Sequence, residues 1–261
     1  MDTTVVQVRF SPSITQRIDC PNCALGEWAW SSFRTLAEAS YFNDQIVHGS
    51  IVKRHHYVHS FGTALESLNV VNSGFLKSCL TARNGNVQIT GFSMRGDMVG
   101  LDAISTGIHQ SDSIALEDAC LCSIKYSCLQ KLMGDIPALR NLFHQKISAE
   151  IARSHEAMSL LGVMHADERI VQFLLNLSNR FAAIGCSKVR FRLPMQRQEI
   201  AEYLGLQLET ISRGLSRLQE ADAIAIDGKN IEIKNVRRIW EGVSQGPGEA
   251  IGLVHRARVR R

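Results

Sequence analysis

The sequence predicts an α+β protein, with an antiparallel, β-rich first half and a helical second half that ends in a small hairpin. Three observations support this fold class. Short β-rich runs broken by glycine fill residues 33–135, an apolar stripe at helical spacing starts at residue 136, and further amphipathic helices precede an alternating segment near residue 227. Alternating patterns indicate strands and 3.6-residue patterns indicate helices, so the chain divides into two kinds of structure.

The composition is that of an ordinary globular protein. The 261 residues are 45% hydrophobic and 21% charged, which excludes a mainly disordered, collagen-like or coiled-coil chain. The longest apolar stretches are too short to span a bilayer, and the first ten residues lack a charged leader followed by an apolar run. We therefore expect a cytoplasmic protein that is large enough to bury a proper core.

The β-rich half is expected to form an antiparallel roll or barrel. Its clearest turn is Asn84-Gly85, which separates FLKSCLT from NVQITGF and supplies the positive φ values that a tight hairpin needs. Residues 1–32, which precede the roll, are irregular and contain Cys20-Pro-Asn-Cys23. We interpret them as a loop that could wrap around a bound group.

A single long helix is predicted over residues 136–163. Apolar residues recur there at spacings of 3, 4 or 7, and the stripe is much longer than an average helix of ~11 residues. A small domain seldom covers such a stripe unaided, so we interpret it as a dimerisation helix, with intramolecular core as the alternative. The expected interface residues are Ile147, Ile151, Ser154, Met158 and Leu161.

The segment after the amphipathic helix RIVQFLLNLSNRFAAIG, which Gly185 should end, has the pattern of a helix-turn-helix. A short helix with Ile200, Ala201 and Leu204 on one face is followed by Gly205, where the chain turns. A second helix follows with an apolar face and an opposite polar face. The residues predicted to be buried on it are Leu208, Ile211, Leu215 and Leu218. A hairpin around Asp227-Gly228 then forms a wing.

The polar face of the second helix carries the chemistry of base recognition. Glu209, Ser212, Arg213 and Ser216 form a row near its N-terminus, where such helices meet base edges in the major groove. A carboxylate can accept from cytosine N4, and a guanidinium can donate twice to guanine. Arg197, Thr210 and Arg217 flank the row as candidate phosphate contacts. The plainer interpretation is two surface helices with an internal Glu-Arg pair.

The distribution of charge agrees with nucleic-acid binding by the last third of the chain. Residues 1–185 carry 15 Lys and Arg against 16 Asp and Glu, whereas residues 186–261 carry 14 against 9. Four of those fourteen belong to the tail RARVRR, which could be only a solvated end.

These motifs resemble those of the Crp/Fnr family of transcription regulators, closest to its Fnr branch. The resemblance spans roughly residues 20–235 and rests on QITGFSMRGDMVGLDAI, ADERIVQFLLNLSNRFA and EIAEYLGLQLETISRGLSRLQ. It implies a β-roll of the cyclic-nucleotide-binding type, a long dimerisation helix and a winged helix-turn-helix. The implied boundaries are 1–32 for a cysteine-containing sensor segment, 33–135 for the roll, 136–163 for the helix, 164–237 for the DNA-binding domain and 238–261 for a basic tail.

The resemblance also implies a homodimer that binds a palindromic promoter site. In the family a Glu-x-x-Ser-Arg motif reads the half-site, here Glu209, Ser212 and Arg213, and TTGAT-like half-sites about one helical turn (~34 Å) apart would follow. Activation through contacts between the surface loops of the roll and RNA polymerase is expected. An enzyme is not expected, because a phosphate-binding glycine loop, H-E-x-x-H and G-x-S-x-G are missing from the sequence.

A regulator of this family responds to a signal, and the signal expected here depends on what the seven cysteines bind. Family members that bind cAMP use an Arg-Ser pair in the roll, but this sequence has no arginine between Arg95 and Arg140, so cAMP is not expected. Fnr-type proteins instead hold an iron-sulfur cluster on N-terminal cysteines and one from the roll, and the resemblance implies a cluster of the 4Fe-4S type here. Cys20, Cys23 and Cys122 match three of those ligands.

The fourth ligand departs from the family pattern, since Glu27-Trp28-Ala29-Trp30 stands where another cysteine is expected. Cys120, two residues before Cys122, could replace it, and a cluster with a non-cysteine ligand or a labile three-iron form are the alternatives. The same four thiols would also suit zinc, and thiol-redox control or regulation by abundance remain alternatives. We expect Cys79, Cys128 and Cys186 to be buried small hydrophobic residues. The histidines at positions 48, 55, 56 and 59 are interpreted as solvated or structural.

Two adjacent positions on the helix bear on dimerisation. Arg153 and Ser154 stand where an acidic residue would repel its counterpart across a two-fold axis. The sequence therefore predicts a dimer that does not depend strongly on cluster state.

Overall fold

The computed structural model describes residues 24–29 and 32–241, and these divide into two compact units. Within that range, the first unit contains residues 24–164 and 194–208, and the second contains residues 165–193 and 209–241. Among the described residues, none of the helices combines the length and hydropathy needed to cross a membrane.

The helices and strands follow the predicted order of a β-rich half, a long helix, a helix-turn-helix and a hairpin. In chain order they are α1 (Ala24–Ala29), α2 (Leu36–Asp44), β1 (Ile46–Val52), β2 (Tyr57–His59), β3 (Ser67–Ser73), β4 (Leu76–Thr81), β5 (Val87–Ser93), β6 (Met98–Val99), a 3-10 helix (Leu101–Ala103), β7 (Asp112–Ala115), β8 (Ala119–Lys125), α3 (Tyr126–Asp135), α4 (Pro137–Val163), α5 (Ala166–Ala183), β9 (Arg190–Arg192), α6 (Arg197–Leu204), α7 (Leu208–Glu220), β10 (Ile224–Asp227), β11 (Asn230–Ile233) and α8 (Val236–Glu241). The short helix at Ala24–Ala29 shows, however, that the interpretation of residues 1–32 as an irregular loop was wrong for those residues.

The first unit contains the predicted antiparallel roll. One four-stranded sheet has the order β1-β8-β3-β6 and the other has the order β2-β7-β4-β5. Residues from both sheets share one apolar cluster, which includes Val71, Leu76 and Leu121. The hairpin at Asn84-Gly85 is confirmed, because Thr81 pairs with Val87 and Gly85 has a φ of 82°.

Strand β8 is buried on both faces and links the roll to its covering helices. Leu121 points into the cluster between the sheets, whereas Cys122 and Ile124 belong to a second cluster with residues of α1, α3 and α4. Successive side chains of a strand point to opposite faces, so Cys120 shares the helix-facing side with Cys122.

Helix α4 confirms the long helix predicted from the apolar stripe. Pro137 occupies its first turn, where the missing N–H costs nothing. Leu139 and Phe143 are buried against α1, α3 and the roll sheet, and Leu160 is buried near the other end. Arg153 pairs with Asp97 at 2.7 Å, which attaches the middle of α4 to the turn before β6.

The second unit is built on α5 and a small sheet. The α5 N-terminus has a capping box in which His165 and Glu168 satisfy each other's backbone N–H groups, and the helix ends before Gly185, which has a φ of 77°. The antiparallel sheet has the order β10-β11-β9. Gly228 turns the chain between Asp227 and Asn230, so the predicted wing hairpin is confirmed.

Helix α6 belongs to the first unit, where it contacts the roll at β4 and β5. Lys77 and Glu199 form an ion pair at 2.9 Å, with side chains only 18% and 13% exposed. The Gln88 amide donates to the Glu202 carbonyl at 2.5 Å. This contact was not foreseen from the sequence, and the domain boundaries given above stay predictions.

Candidate nucleic-acid interface and cysteine site

Helix α7 separates an apolar face from a polar one, as its pattern predicts. Ile211, Leu215 and Leu218 are buried. Glu209 and Arg213 point into solvent, with side chains 72% and 70% exposed, and form an ion pair one helical turn apart. An exposed ion pair of this kind contributes little to stability. Breaking it costs little free energy, so the carboxylate and the guanidinium can each bind another molecule instead.

The prediction that Leu208 is buried was wrong. Its residue is 45% exposed, and it is the first residue of α7. A helical side chain leans back over the preceding turn, and the first residue of a helix has no preceding turn to cover it. The spacing of the apolar residues therefore predicts more burial for Leu208 than the structure shows.

Gly214, for which the sequence offers no reason, is explained by the packing of α7 on α5. A Cβ at this position would overlap Cδ1 of Ile170, and it would lie 3.3 Å from the Asp167 carboxylate. Glycine costs a helix roughly 1 kcal/mol relative to alanine. Because glycine has no Cβ, α5 and α7 of the second unit can approach each other closely at this point.

The other candidate DNA contacts lie on α6 and α7. Arg197 is exposed at the first position of α6, Ser216 is exposed on α7, and Thr210 and Ser212 are partly exposed. Arg217 is half exposed and pairs with Asp167 of α5. In this state Arg217 therefore stabilises the α5–α7 contact.

The cysteine site has two described members, both on β8. Cys122 is fully buried among apolar side chains, and Cys120 is 8% exposed. Cys20 and Cys23, the other two predicted ligands, lie outside the described residues.

A chain of hydrogen bonds connects β8 with the residue that follows Cys23. The Ala24 N–H donates to Oδ1 of Asn72 at 3.0 Å, and Nδ2 of Asn72 donates to Sγ of Cys120 at 3.9 Å. Ala24 and Leu25 are buried in the same cluster as Cys122. Asn72 thus connects Ala24, the first described residue, to Cys120.

Three other cysteines were predicted to be buried small hydrophobic residues, and one of them is buried. Cys79 is 3% exposed, and burial, together with Asp112, raises the pKa of its thiol. Cys128 is partly buried against the helical cluster. Cys186 is exposed, so the prediction that it is a buried hydrophobic residue was wrong.

The apolar stripe of α4 is exposed over its second half. Ile151 is 52%, Met158 67% and Leu161 38% exposed, whereas Ile147 is partly buried against the core. Ser154 is exposed between them, and its hydroxyl donates to the Glu150 carbonyl. Ile151 and Met158 are therefore the most exposed of these apolar side chains.

Comparison with known proteins defines the class of the molecule. The profile of the Crp-like helix-turn-helix domain matches residues 168–241, and that of the cyclic nucleotide-binding domain matches residues 51–135. A β-roll joined by a long helix to such a domain is the architecture of a DNA-binding transcription regulator, not of an enzyme.

Comparison with individual relatives narrows the class to a family. The fumarate nitrate reduction regulatory protein of Klebsiella oxytoca is 38% identical over 218 residues, which cover 84% of this chain and 87% of that protein. The fumarate and nitrate reduction regulatory protein of Escherichia coli K12 is 37% identical over the same length. The structure of FixK2 from Bradyrhizobium japonicum is 30% identical, with a TM-score of 0.68 over 75% of this chain and 96% of that one. The chain belongs to the Crp/Fnr family, as an Fnr-like member.

Proposed function

We propose that the chain is a homodimeric, sequence-specific regulator of the Fnr type, which controls transcription in response to oxygen or redox state. One observation carries the DNA-binding part of this proposal, namely the exposed polar row on α7 above a buried apolar face. Because promoter DNA lies in the cytoplasm, we expect the protein to work there. The expected sites are TTGAT-like palindromes, and activation would use contacts between loops of the roll and RNA polymerase.

The proposed roles on DNA follow from the side-chain chemistry. Glu209 accepts from cytosine N4, and Arg213 donates to O6 and N7 of a guanine once each has exchanged its partner on α7 for a base. Ser212 and Ser216 complete the row. Arg197, Thr210 and Arg217 contact phosphates and set the register of the protein on the duplex.

Two arginine variants test this division of roles. Arg213→Ala should cost about 1–3 kcal/mol of binding free energy and relax the preference at one guanine. Arg197→Ala should weaken binding to every sequence alike and reduce the salt slope by about 1. Binding assays on a TTGAT palindrome and on single-base variants, over a range of salt, distinguish them. Uniform weakening by Arg213→Ala would assign that residue to phosphate instead.

For the signal, we propose that Cys20, Cys23, Cys122 and Cys120 hold an iron-sulfur cluster of the 4Fe-4S type. Such a cluster, when bound, supplies an oxygen-labile redox group. Three features of the chain support this donor set. The side chains of Cys120 and Cys122 share one face of β8, and α1 begins directly after Cys23. Asn72 accepts a hydrogen bond from the Ala24 N–H and donates one to Sγ of Cys120. The Asn72 amide would donate to a ligand sulfur, and such hydrogen bonds tune cluster potentials.

Anaerobic purification followed by analysis of iron and acid-labile sulfide tests this assignment. Near four of each per chain, lost in air together with binding to the palindrome, is the expected result. Cys120→Ser should lower the iron content, whereas Cys79→Ser, at a buried cysteine of the other sheet, should leave it unchanged. A protein without iron or sulfide, whose DNA binding is indifferent to air, would leave the DNA-binding role intact and transfer the signal to zinc, thiol oxidation or abundance.

The proposed dimer uses the exposed half of the α4 stripe, with Ile147, Ile151, Ser154, Met158 and Leu161 at the interface. A continuous apolar face of this kind on a soluble regulator needs a partner, and a second copy of the same helix matches it in length and pattern.

The five predicted divisions of the chain, including a basic tail at 238–261, are also part of the proposal.

A further inference from the structure

Three side chains of the roll that are distant in sequence converge at one place. His59 ends β2, Asp102 lies in the 3-10 helix, and His109 lies in the loop before β7. One potential ligand atom of each lies within 4.8 Å of those of the other two. These residues belong neither to the cysteine site nor to the helix-turn-helix.

The two imidazole rings are buried and stacked. His59 is 8% and His109 is 3% exposed, and their rings are parallel within 7° with centroids 3.7 Å apart. Nδ1 of His109 lies 3.3 Å from Oδ1 of Asp102. Both ring nitrogens of His59, however, are buried without a hydrogen-bond partner among the described residues. A buried polar group in that condition costs about 1–3 kcal/mol, which indicates that the site is built for a further partner.

Asp102 is held in the orientation that a metal ligand needs. Its Oδ2 accepts from the Ser111 hydroxyl at 2.9 Å and from the backbone N–H groups of Gln110 and Ser111, so Oδ1 is directed towards the histidines. Burial opposes ionisation of Asp102, but these hydrogen bonds and the one to His109 outweigh it and hold the carboxyl pKa below its usual range. Outer contacts of this kind orient ligands in known metal sites.

We propose that His59, Asp102 and His109 bind one divalent transition-metal ion inside the roll. Two imidazoles and one carboxylate form the donor set that Zn²⁺ uses in sites with an open coordination position and that Fe²⁺ uses in its facial triads.

Binding requires a small movement of the rings within a fixed backbone. The lone pairs of parallel rings run side by side, whereas bonds of ~2.0–2.1 Å to one ion need them to converge. Rotation about the terminal imidazole torsion, which has a broad energy minimum, achieves this. The backbone is already set, because His109 N–H donates to Thr63 O at 2.9 Å and its carbonyl accepts from Gly62 N–H at 2.9 Å. A bound ion would therefore connect β2 to the segment before β7.

The test uses Co²⁺ as a spectroscopic probe, added to the full chain in which Cys20→Ser and Cys23→Ser remove the competing thiolate site. We expect one Co²⁺ per chain, visible d–d absorption without a sulfur-to-metal charge-transfer band, and a higher melting temperature. His59→Phe keeps the stacked ring but removes the nitrogens, and it should abolish all three signals. His56→Phe, at an exposed histidine nearby, should retain them.

A second variant keeps the test decisive if His59→Phe does not fold by circular dichroism. Asp102→Asn retains an acceptor for Ser111 and Gln110 but removes the charge, and it should weaken Co²⁺ binding at least tenfold. Unchanged Co²⁺ affinity in Asp102→Asn, or the absence of d–d bands in the Cys20→Ser/Cys23→Ser chain, would overturn the proposal and leave a purely structural histidine pair. Neither result depends on whether the cysteines hold a cluster.

Discussion

At the scale of single residues, Gly214 controls how closely α7 approaches α5. Gly214→Ala should lower the free energy of unfolding of the second unit by about 1–3 kcal/mol, because the new methyl group overlaps Cδ1 of Ile170. This loss is expected even though alanine favours a helix by roughly 1 kcal/mol. Adding Ile170→Val, which removes that carbon, should recover most of the loss in a denaturant titration.

Gly134 of α3 provides the matched control, since a Cβ there meets nothing within 4 Å. Gly134→Ala should be neutral or stabilising by up to about 1 kcal/mol. If Gly214→Ala behaves like Gly134→Ala, the close approach of α7 to α5 is not a constraint.

His59 should make stability depend on pH in a predictable direction. Burial lowers its pKa from 6.5 to about 4, with a further contribution from His109, so the folded chain binds fewer protons than the unfolded chain between those values. The stabilising contribution is complete above pH 6.5 and is lost as the pH falls towards 4, by up to about 3 kcal/mol at 1.36 kcal/mol per pKa unit.

The measurement is thermal unfolding between pH 7 and pH 4 with a chelator present. His59→Phe should lose less stability over this range than the unmodified chain, because the phenyl ring does not titrate. Parallel curves for the two proteins would show that His59 is protonated equally in the folded and unfolded chains.

At the scale of elements, the ion pair between β4 and α6 holds that helix on the roll. Glu199 has two tasks, since Oε1 accepts from Lys77 while Oε2 accepts from the Gln196 N–H at the start of α6. Lys77→Met should lower the free energy of unfolding by about 1–3 kcal/mol, because it leaves a largely buried carboxylate without its cation.

Glu199→Gln in the Lys77→Met background should restore part of that loss, since glutamine still caps the helix and carries no charge. A double-mutant cycle followed by denaturant unfolding measures the coupling between the two side chains. Additive effects would mean that the two charges do not stabilise α6 on the roll.

Local turn chemistry explains which elements the sequence could predict. Gly85, Gly205 and Gly228 each adopt positive φ where the pattern requires a turn, and the strands and helices beside them follow from period alone. The same patterns could not give contacts between distant segments. Lys77 and Glu199 are 122 residues apart, and their pairing depends on how α6 lies on the roll.

The two candidate sites also differ in whether the sequence could predict them. The α7 row could be predicted because the helical period alone places Glu209 and Arg213 on one face. The cluster of His59, Asp102 and His109 could not, since three residues on separate segments are brought together only by the pairing of strands within the roll. His59 was accordingly interpreted from sequence as solvated or structural, and its burial distinguishes it from the exposed His56.

At the scale of the whole molecule, the proposed dimer brings two α4 helices together along their exposed faces. Ile151, Ser154 and Met158 lie on one side of the helix, and Ser154 contributes a neutral hydroxyl there. Because the interface then carries no like-charge repulsion at this position, we expect the unmodified chain to sediment as a dimer both in air and without oxygen. A monomer in air that becomes a dimer without oxygen would contradict this expectation.

Ser154→Asp should make the dimer fragile, because a two-fold axis would place two carboxylates close together. At ~5 Å and an effective dielectric constant of about 20 their repulsion is about 3 kcal/mol, which corresponds to a roughly hundredfold weaker dimer. Gln145→Asp adds the same charge nine residues earlier, on the opposite side of α4, and should leave the dissociation constant nearly unchanged. Sedimentation equilibrium compares the two variants directly. Equal weakening by both would show that net charge, and not the exposed face of α4, governs association.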